Sequence, residues 1–297
     1  MPELPDIEVY LQCLRSRIVG SELKSLKLLN PFVLRSVLPK PAEFIGLKIL
    51  GVERLGKRVC IELENEHFIV IHLMISGRFR WLSGEAKGMG KIAHAVFWFE
   101  TGSLILTEAS TKKRASIHLI QGRASLGTHR PDGIDPLTCS STEFAVAIKS
   151  ENRTLKRALT NQHRINGIGN AYSDEILFHA QLSPLRLTTS LSDQEIARLF
   201  VATQATLIKW RDTLLEEFKT KFPGAGDVTA FRPDFAVHGR FGLPCQECGN
   251  KVQRIQYAEN ETNYCAKCQN EGRILADRSL SRLLKDDWPR TLEELEN

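Results

Sequence analysis

Four of the seven cysteines sit in one short run, CQECGNKVQRIQYAENETNYCAKC, as two Cys-x-x-Cys pairs, Cys245/Cys248 and Cys265/Cys268, sixteen residues apart. Two such knuckles on facing turns can present four thiolates tetrahedrally, and the stretch VQRIQYAENETNY between them can form the hairpin that carries them. The spacing predicts a zinc ribbon. A pair of disulfides is the competing reading. It is disfavoured because the start MPELPDIE lacks the basic region and apolar block of an export signal, and a reducing compartment keeps thiols reduced. Four cysteine ligands leave no open position for a substrate, so one structural zinc ion is expected. Cys13, Cys60 and Cys139 are scattered and read as buried thiols.

The ribbon is far too small to be the whole fold of 297 residues, which is enough for two domains and a small appended module. No apolar run approaches the ~20 residues that a membrane span needs, so no membrane partner is expected, and a cytoplasmic or nucleoid location is. A formal charge of +5 permits a polyanionic partner without requiring one.

Residues 5–19, PDIEVYLQCLRSRIV, place Ile7, Leu11, Leu14 and Ile18 at helical spacing, with Pro5 suited to a first turn and Gly20 to a stop. From Lys24 to Gly122 the period changes to short alternating or β-branched runs. SLKLL, FVLRSV, ILGVERL, RVCIELE, HFIVIHLM, RFRWL, HAVFWFE, SLILTE and SIHLIQG read as nine strands of a sandwich or barrel. After GTHRPDGIDP helical periodicity takes over through Phe218, including a capping box from Ser192 to Glu195. FPGAGDVTAFRPDF reads as a loop, and Leu280, Leu283 and Leu284 suggest a last helix. The expected fold is α+β and multidomain. A β-sandwich with a leading helix occupies 1–130, a helical domain 131–235, the zinc hairpin 236–270, and a tail of unassigned role 271–297.

Within LKRALTNQHRINGIGNAYSDEILFHAQLSPLR, Gly167 and Gly169 form a turn between two helical patterns, with Asn170 expected at the N-cap. Such a turn is either a plain helix connection or a phosphate site, since unpaired amides and the helix dipole both favour an anion there. Lys156, Arg157, His163 and Arg164 nearby favour nucleic acid.

PELPDIE at the start, the GIGNAYSDEILFHA hairpin and the terminal CxxC…CxxCQ, in this order, resemble the formamidopyrimidine-DNA glycosylase and endonuclease VIII family over residues 1 to about 270. The resemblance implies a helix–two-turn–helix domain between sandwich and zinc finger, duplex DNA with damaged bases or abasic sites as partner, and a monomeric enzyme of base excision repair. It implies that Pro2, freed by removal of Met1, attacks the sugar C1′ as a secondary amine. Glu3 then acts as general acid, and Lys57, in RLGKRVCIEL, binds phosphate and assists elimination. An α-amino group titrates near ~7.7–8.0, so a usable neutral fraction exists at physiological pH. Lys156 and Asn170 match positions near the lesion strand.

Several positions depart from the family pattern. In HLMISGRF the family's glycine and intercalating methionine align with Met74 and Ile75. Its arginine–phenylalanine pair should fall in ASTKKRASIHL, where Lys113 and Arg114 carry charge without a phenylalanine. A phosphate-gripping arginine aligns with Asn260, leaving Arg254 or Lys251 to supply the charge, and Asp6 replaces a glutamate. Retained covalent chemistry with an altered substrate range is expected. An abasic-site or adduct lyase with little base excision and a non-catalytic binder of damaged DNA are the alternatives.

Overall fold

The computed structural model describes residues 1–86, 90–257, 260–277, 283 and 289–296. The chain forms two compact units, Met1–Pro131 with Trp210–Ala230, and Asp132–Lys209 with Phe231–Asn297.

In the first unit, helix α1 (Leu4–Ile18) starts at the N-cap Glu3. The stripe expected from periodicity is its core face, because Ile7, Leu11, Leu14 and Ile18 are each at most 1% exposed. Burying a side chain of this size contributes about 1.5–3 kcal/mol, which ties the helix firmly to the sheets. Gly20 follows the helix at φ 88°, a left-handed conformation that glycine adopts without cost.

Eight strands follow: β1 (Leu23–Leu28), β2 (Ile49–Leu55), β3 (Arg58–Leu63), β4 (His67–His72), β5 (Gly77–Leu82), β6 (Ala93–Phe99), β7 (Gly102–Glu108) and β8 (Ser116–Gln121). They form two antiparallel sheets, β1-β6-β7-β5 and β2-β3-β4-β8. Val59, Ile61, Ile69 and Ile71 of one sheet join Phe79, Phe97, Leu104 and Leu106 of the other in a single core. This is the sandwich that the alternation predicts.

The ninth expected strand, FVLRSV, does not form. Asn30 Oδ1 accepts from the Phe32 amide at 3.1 Å and starts a 3-10 turn at Pro31, and only Leu34 makes a bridge, to Ile117. Val33 and Leu34 pack on the sandwich core while Phe32 and Val37 stay 78% and 90% exposed, so the side chains do not alternate between core and solvent as a strand's would. Helix α2 (Arg123–Gly127) closes the N-terminal segment.

The second unit holds α3 (Ser141–Lys149), α4 (Leu155–Thr160), α5 (Asn170–His179) and the start of α6 (Asp193–Glu217), whose residues from Trp210 onward belong to the first unit. The Ser192–Glu195 box is present, with Ser192 N–H donating to Glu195 Oε2 at 2.9 Å. The cysteine hairpin consists of β9 (Gln253–Tyr257) and β10 (Asn260–Tyr264), followed by α7 (Ala266–Asn270).

Among the described residues beyond Arg273, Leu275, Asp277 and Leu292 pack against this hairpin. Leu275 N–H donates to Tyr264 Oη at 2.7 Å, and Asp277, 3% exposed, accepts from the Gln256 amide of β9 at 2.7 Å. Leu275 and Leu292 pack on Ile255, Tyr264 and Ala266. The expected last helix falls mostly outside the described residues, Leu280 and Leu284 among them. Leu283 is helical and 76% exposed, and a short helix runs over Leu292–Glu296.

Candidate active site and zinc centre

The first unit gathers the expected reacting groups at the start of α1. Pro2 is buried, Glu3 and Asp6 are each 3% exposed, and Asp6 Oδ2 accepts from the Glu3 amide at 2.8 Å as part of a capping box. Tyr10 anchors this end of the helix over β5, accepting from the Phe79 amide at 3.3 Å and meeting the Phe79 ring edge-on at 5.1 Å. Glu3 is therefore both helix cap and buried carboxylate, with its position fixed by backbone rather than by rotamer choice.

Lys57 lies in the two-residue turn joining β2 to β3, where Gly56 has φ 62°, the left-handed conformation that such hairpin turns require. Lys57 is only 6% exposed, and burial lowers its pKa to about 8 against the opposing pull of Glu3 and Asp6. The same burial lowers the pKa of the Met1 α-amino group, which also feels Glu3, Arg78, Asp6 and Lys57. These groups therefore form one electrostatic cluster around the N-terminus.

Because the folded pKa of Lys57 lies below the unfolded value of 10.5, the native state binds fewer protons between pH 8 and 10.5. Its contribution to stability thus rises with pH across that window, and the penalty is fully present below about pH 8. Denaturation midpoints of the native chain should gain on those of Lys57→Met from pH 8 to 10. Parallel curves would contradict a buried, neutralising lysine.

The loop after β4 holds Met74 and Ile75, the two positions expected to provide a wedge. Met74 has φ 53°, and Ile75 is 51% exposed. Gly77 N–H donates to Leu73 O at 2.9 Å, and a Cβ at Gly77 would lie 2.2 Å from that oxygen, so the turn is tight. Met74 thus holds a left-handed conformation where the family pattern has glycine. Met74→Gly should stabilise the protein by about 0.5–1 kcal/mol, the left-handed strain relieved less the added freedom of the unfolded chain. Denaturant midpoints check this, and a fall would mean that packing of the Met74 side chain outweighs the strain.

Lys113 and Arg114 are exposed on the loop before β8, with Lys113 Nζ donating to Glu108 O at 2.5 Å. His72 was not anticipated from sequence. It ends β4 directly opposite Arg58, its Nδ1 accepts from the Met74 amide at 2.9 Å, and burial, Arg58, Lys57 and His118 lower its pKa to about 4. It is a neutral imidazole whose Nε2 carries the proton. The signal was present in the alternation of HFIVIHL, which puts a polar ring at the strand end nearest Lys57.

In the second unit, Gly169 rather than Asn170 is the N-cap of α5, which corrects the expected cap. The Asn170 side chain is used elsewhere, donating to Glu261 O at 2.9 Å. Lys156 does not offer a free cation, since its Nζ lies 2.5 Å from Asp174 Oδ1 and 2.7 Å from Asn170 O. Asp174 also accepts from the Asn263 amide at 3.1 Å and meets His238 Nδ1 at 2.7 Å, while Glu175 accepts from the amides of Ala236, Val237 and His238. These two buried carboxylates tie α5 to the cysteine hairpin.

Arg254 stacks over Phe241, its guanidinium 4.2 Å from the ring centroid and 3.8 Å from the Glu261 carboxylate. Lys251 is exposed. The Asn260 side chain lies outside the described residues.

The four Sγ atoms of Cys245, Cys248, Cys265 and Cys268 lie within 4.8 Å of one another, with pairs at 4.0 and 3.5 Å. Tetrahedral zinc with ~2.3 Å bonds needs sulfurs roughly 3.8 Å apart, whereas a disulfide needs ~2.05 Å. The set therefore holds one zinc ion, closed by four thiolates and structural. Cys13 and Cys60 are buried as expected, but Cys139 is half-buried.

Family comparisons cover both units. Residues 1–114 match the formamidopyrimidine-DNA glycosylase N-terminal domain, 133–210 the formamidopyrimidine-DNA glycosylase H2TH domain, and 242–270 the zinc finger found in FPG and IleRS. The formamidopyrimidine-DNA glycosylase of Heliobacterium modesticaldum is 33% identical over 279 residues, spanning 91% of this chain and all of that protein. That of Listeria monocytogenes is 31% identical over 277 residues, with the same coverage. The solved structure of the Lactococcus lactis Fpg in complex with abasic-site DNA superposes with a TM-score of 0.80 at 26% identity, covering 90% of this chain and 99% of that one. The chain belongs to the formamidopyrimidine-DNA glycosylase family.

Proposed function

We propose that the protein is a DNA glycosylase of base excision repair with an associated abasic-site lyase activity. The observation that carries this reading is the convergence of Pro2, Glu3 and Lys57 in one buried cluster at the head of α1. Burial favours the uncharged form of an amine, which is the nucleophilic form. After removal of Met1, the Pro2 nitrogen lone pair forms a bond to C1′ as the glycosidic bond breaks, and the base departs with the proton that the nitrogen gives up. Glu3 donates a proton to the sugar ring oxygen as the ring opens, leaving a cationic iminium. Loss of a C2′ proton then expels the 3′ phosphate and nicks the strand. Lys57 would hold phosphate in its charged form, and burial, by lowering its pKa to about 8, makes its neutral, proton-accepting form accessible. The zinc ion holds the hairpin that carries Arg254 and takes no part in these steps.

Relatives solved with abasic-site DNA and with Fapy-dG DNA support damaged duplex as the substrate. The changed residues at Met74, Ile75, Lys113 and Arg114 favour a second reading, a lyase on abasic sites or adducts with little base excision. Duplexes bearing 8-oxoguanine, formamidopyrimidine, an oxidised pyrimidine or an abasic site, incubated with the protein and borohydride, separate the two. Base release with nicking is expected on at least one oxidised base. Nicking of the abasic duplex alone selects the second reading, and no adduct on any duplex defeats both.

A further inference from the structure

Glu108 closes β7 with a carboxylate that is 1% exposed and has no role in the chemistry above. Its oxygens accept hydrogen bonds from two loops. From the loop after β4, Ser76 Oγ donates to Oε1 at 3.1 Å. From the loop before β8, the Arg114 amide reaches both oxygens at 3.1 and 3.0 Å, and the Ala115 amide reaches Oε2 at 3.1 Å. His94 Nε2 stands 3.8 Å from Oε2, its other ring nitrogen held 2.9 Å from Asn30 Nδ2. Lys113 folds back onto the Glu108 carbonyl.

Hydrogen bonds to an ionised acceptor are about twice as strong as neutral ones, and a buried carboxylate that loses its donors is heavily penalised. A shift of the loop before β8 therefore strands the anion, and a shift of the loop after β4 takes away the side-chain donor at Oε1. The loop TKKRAS contains no aromatic residue to pack it down, so its conformation must come from another source, and the carboxylate is that source.

We propose that Glu108 is a positioning residue that locks the Ile75 loop to the Lys113/Arg114 loop, so that wedge insertion and contact with the opposite strand occur as a single event. This rests on the damaged-duplex reading above and adds to it the coupling between two recognition loops.

A double-mutant cycle tests the coupling. Ile75→Ala and Arg114→Ala, singly and together, are titrated onto a duplex carrying tetrahydrofuran, an abasic analogue that cannot be cleaved, with 2-aminopurine opposite it as a fluorescent report of unstacking. In the native chain the two effects should depart from additivity by roughly tenfold. In Glu108→Gln, which keeps the side-chain shape but turns an NH2 toward backbone amides, they should become additive. Ser76→Ala removes only the first loop's bond, and should give the same result should the buried substitution fail to fold. Additivity in the native chain, or non-additivity that persists in Ser76→Ala, overturns the proposal. A native chain that gives the fluorescence response but nicks no abasic duplex instead defeats the enzymatic reading and leaves this inference standing.

Discussion

A chain carrying one untrimmable residue ahead of Pro2 should form no borohydride-trapped adduct with abasic DNA. The extension converts the Pro2 nitrogen into a tertiary amide, whose lone pair is delocalised into the carbonyl and cannot attack C1′. The fold should survive, because α1 is held by its apolar face and by Tyr10 rather than by the terminus. Glu3→Gln removes the proton donor but keeps the helix cap, and base release should fall about 10²–10⁴-fold, the range for a positioned general acid. Mass spectrometry of the trapped peptide decides the nucleophile. Lys57 is the one other amine in the cluster with a depressed pKa, so an adduct on Lys57 in the extended chain would transfer the role to that lysine.

Zinc removal should be equally severe but confined in space. Binding of a structural zinc by a four-thiolate set supplies about 10–16 kcal/mol, and that free energy is also the folding free energy of the module. Cys245 and Cys265 lie in one apolar cluster with Phe178, Val237 and Val252, so Cys268→Ser or strong chelation should unpack the hairpin and the face of α5 that touches it. Loss of the hairpin takes the Asn263 amide from Asp174 and frees the Asn170 side chain from Glu261. Zinc content should drop from one per chain to none and affinity for abasic duplex should collapse, while amide exchange in the core strands of the sandwich stays slow. Retained affinity in the metal-free protein would remove the hairpin from the DNA-binding surface.

Most of the architecture was legible because it is local. Alternation marked the sandwich strands, a 3.6-residue stripe marked α1, and cysteine spacing marked the metal set. FVLRSV misled because β-branched composition reports a preference that needs a packed neighbour, and Phe32 and Val37 have none. What sequence did not reveal is carried by partners far apart in the chain. Glu175 binds amides more than sixty residues away, Asp174 meets Asn263 across 89 residues, and Asn170 spends its amide on Glu261 rather than on its own helix end. Lys156 was expected near the lesion strand, and nothing nearby in sequence announces Asp174 as its ion-pair partner. Helix α6 gave no sign of the division at Trp210, because its apolar period runs unbroken through it.

A two-stranded ribbon has no interior strand, so both its sides are open to pairing with another molecule. Here Asp277 takes up an amide of β9 while Leu275 and Leu292 cover the adjoining apolar surface. Removal of the residues after Arg273 should therefore bare part of the rim of β9 and the apolar surface beneath Leu275 and Leu292, and the shortened protein should associate through it.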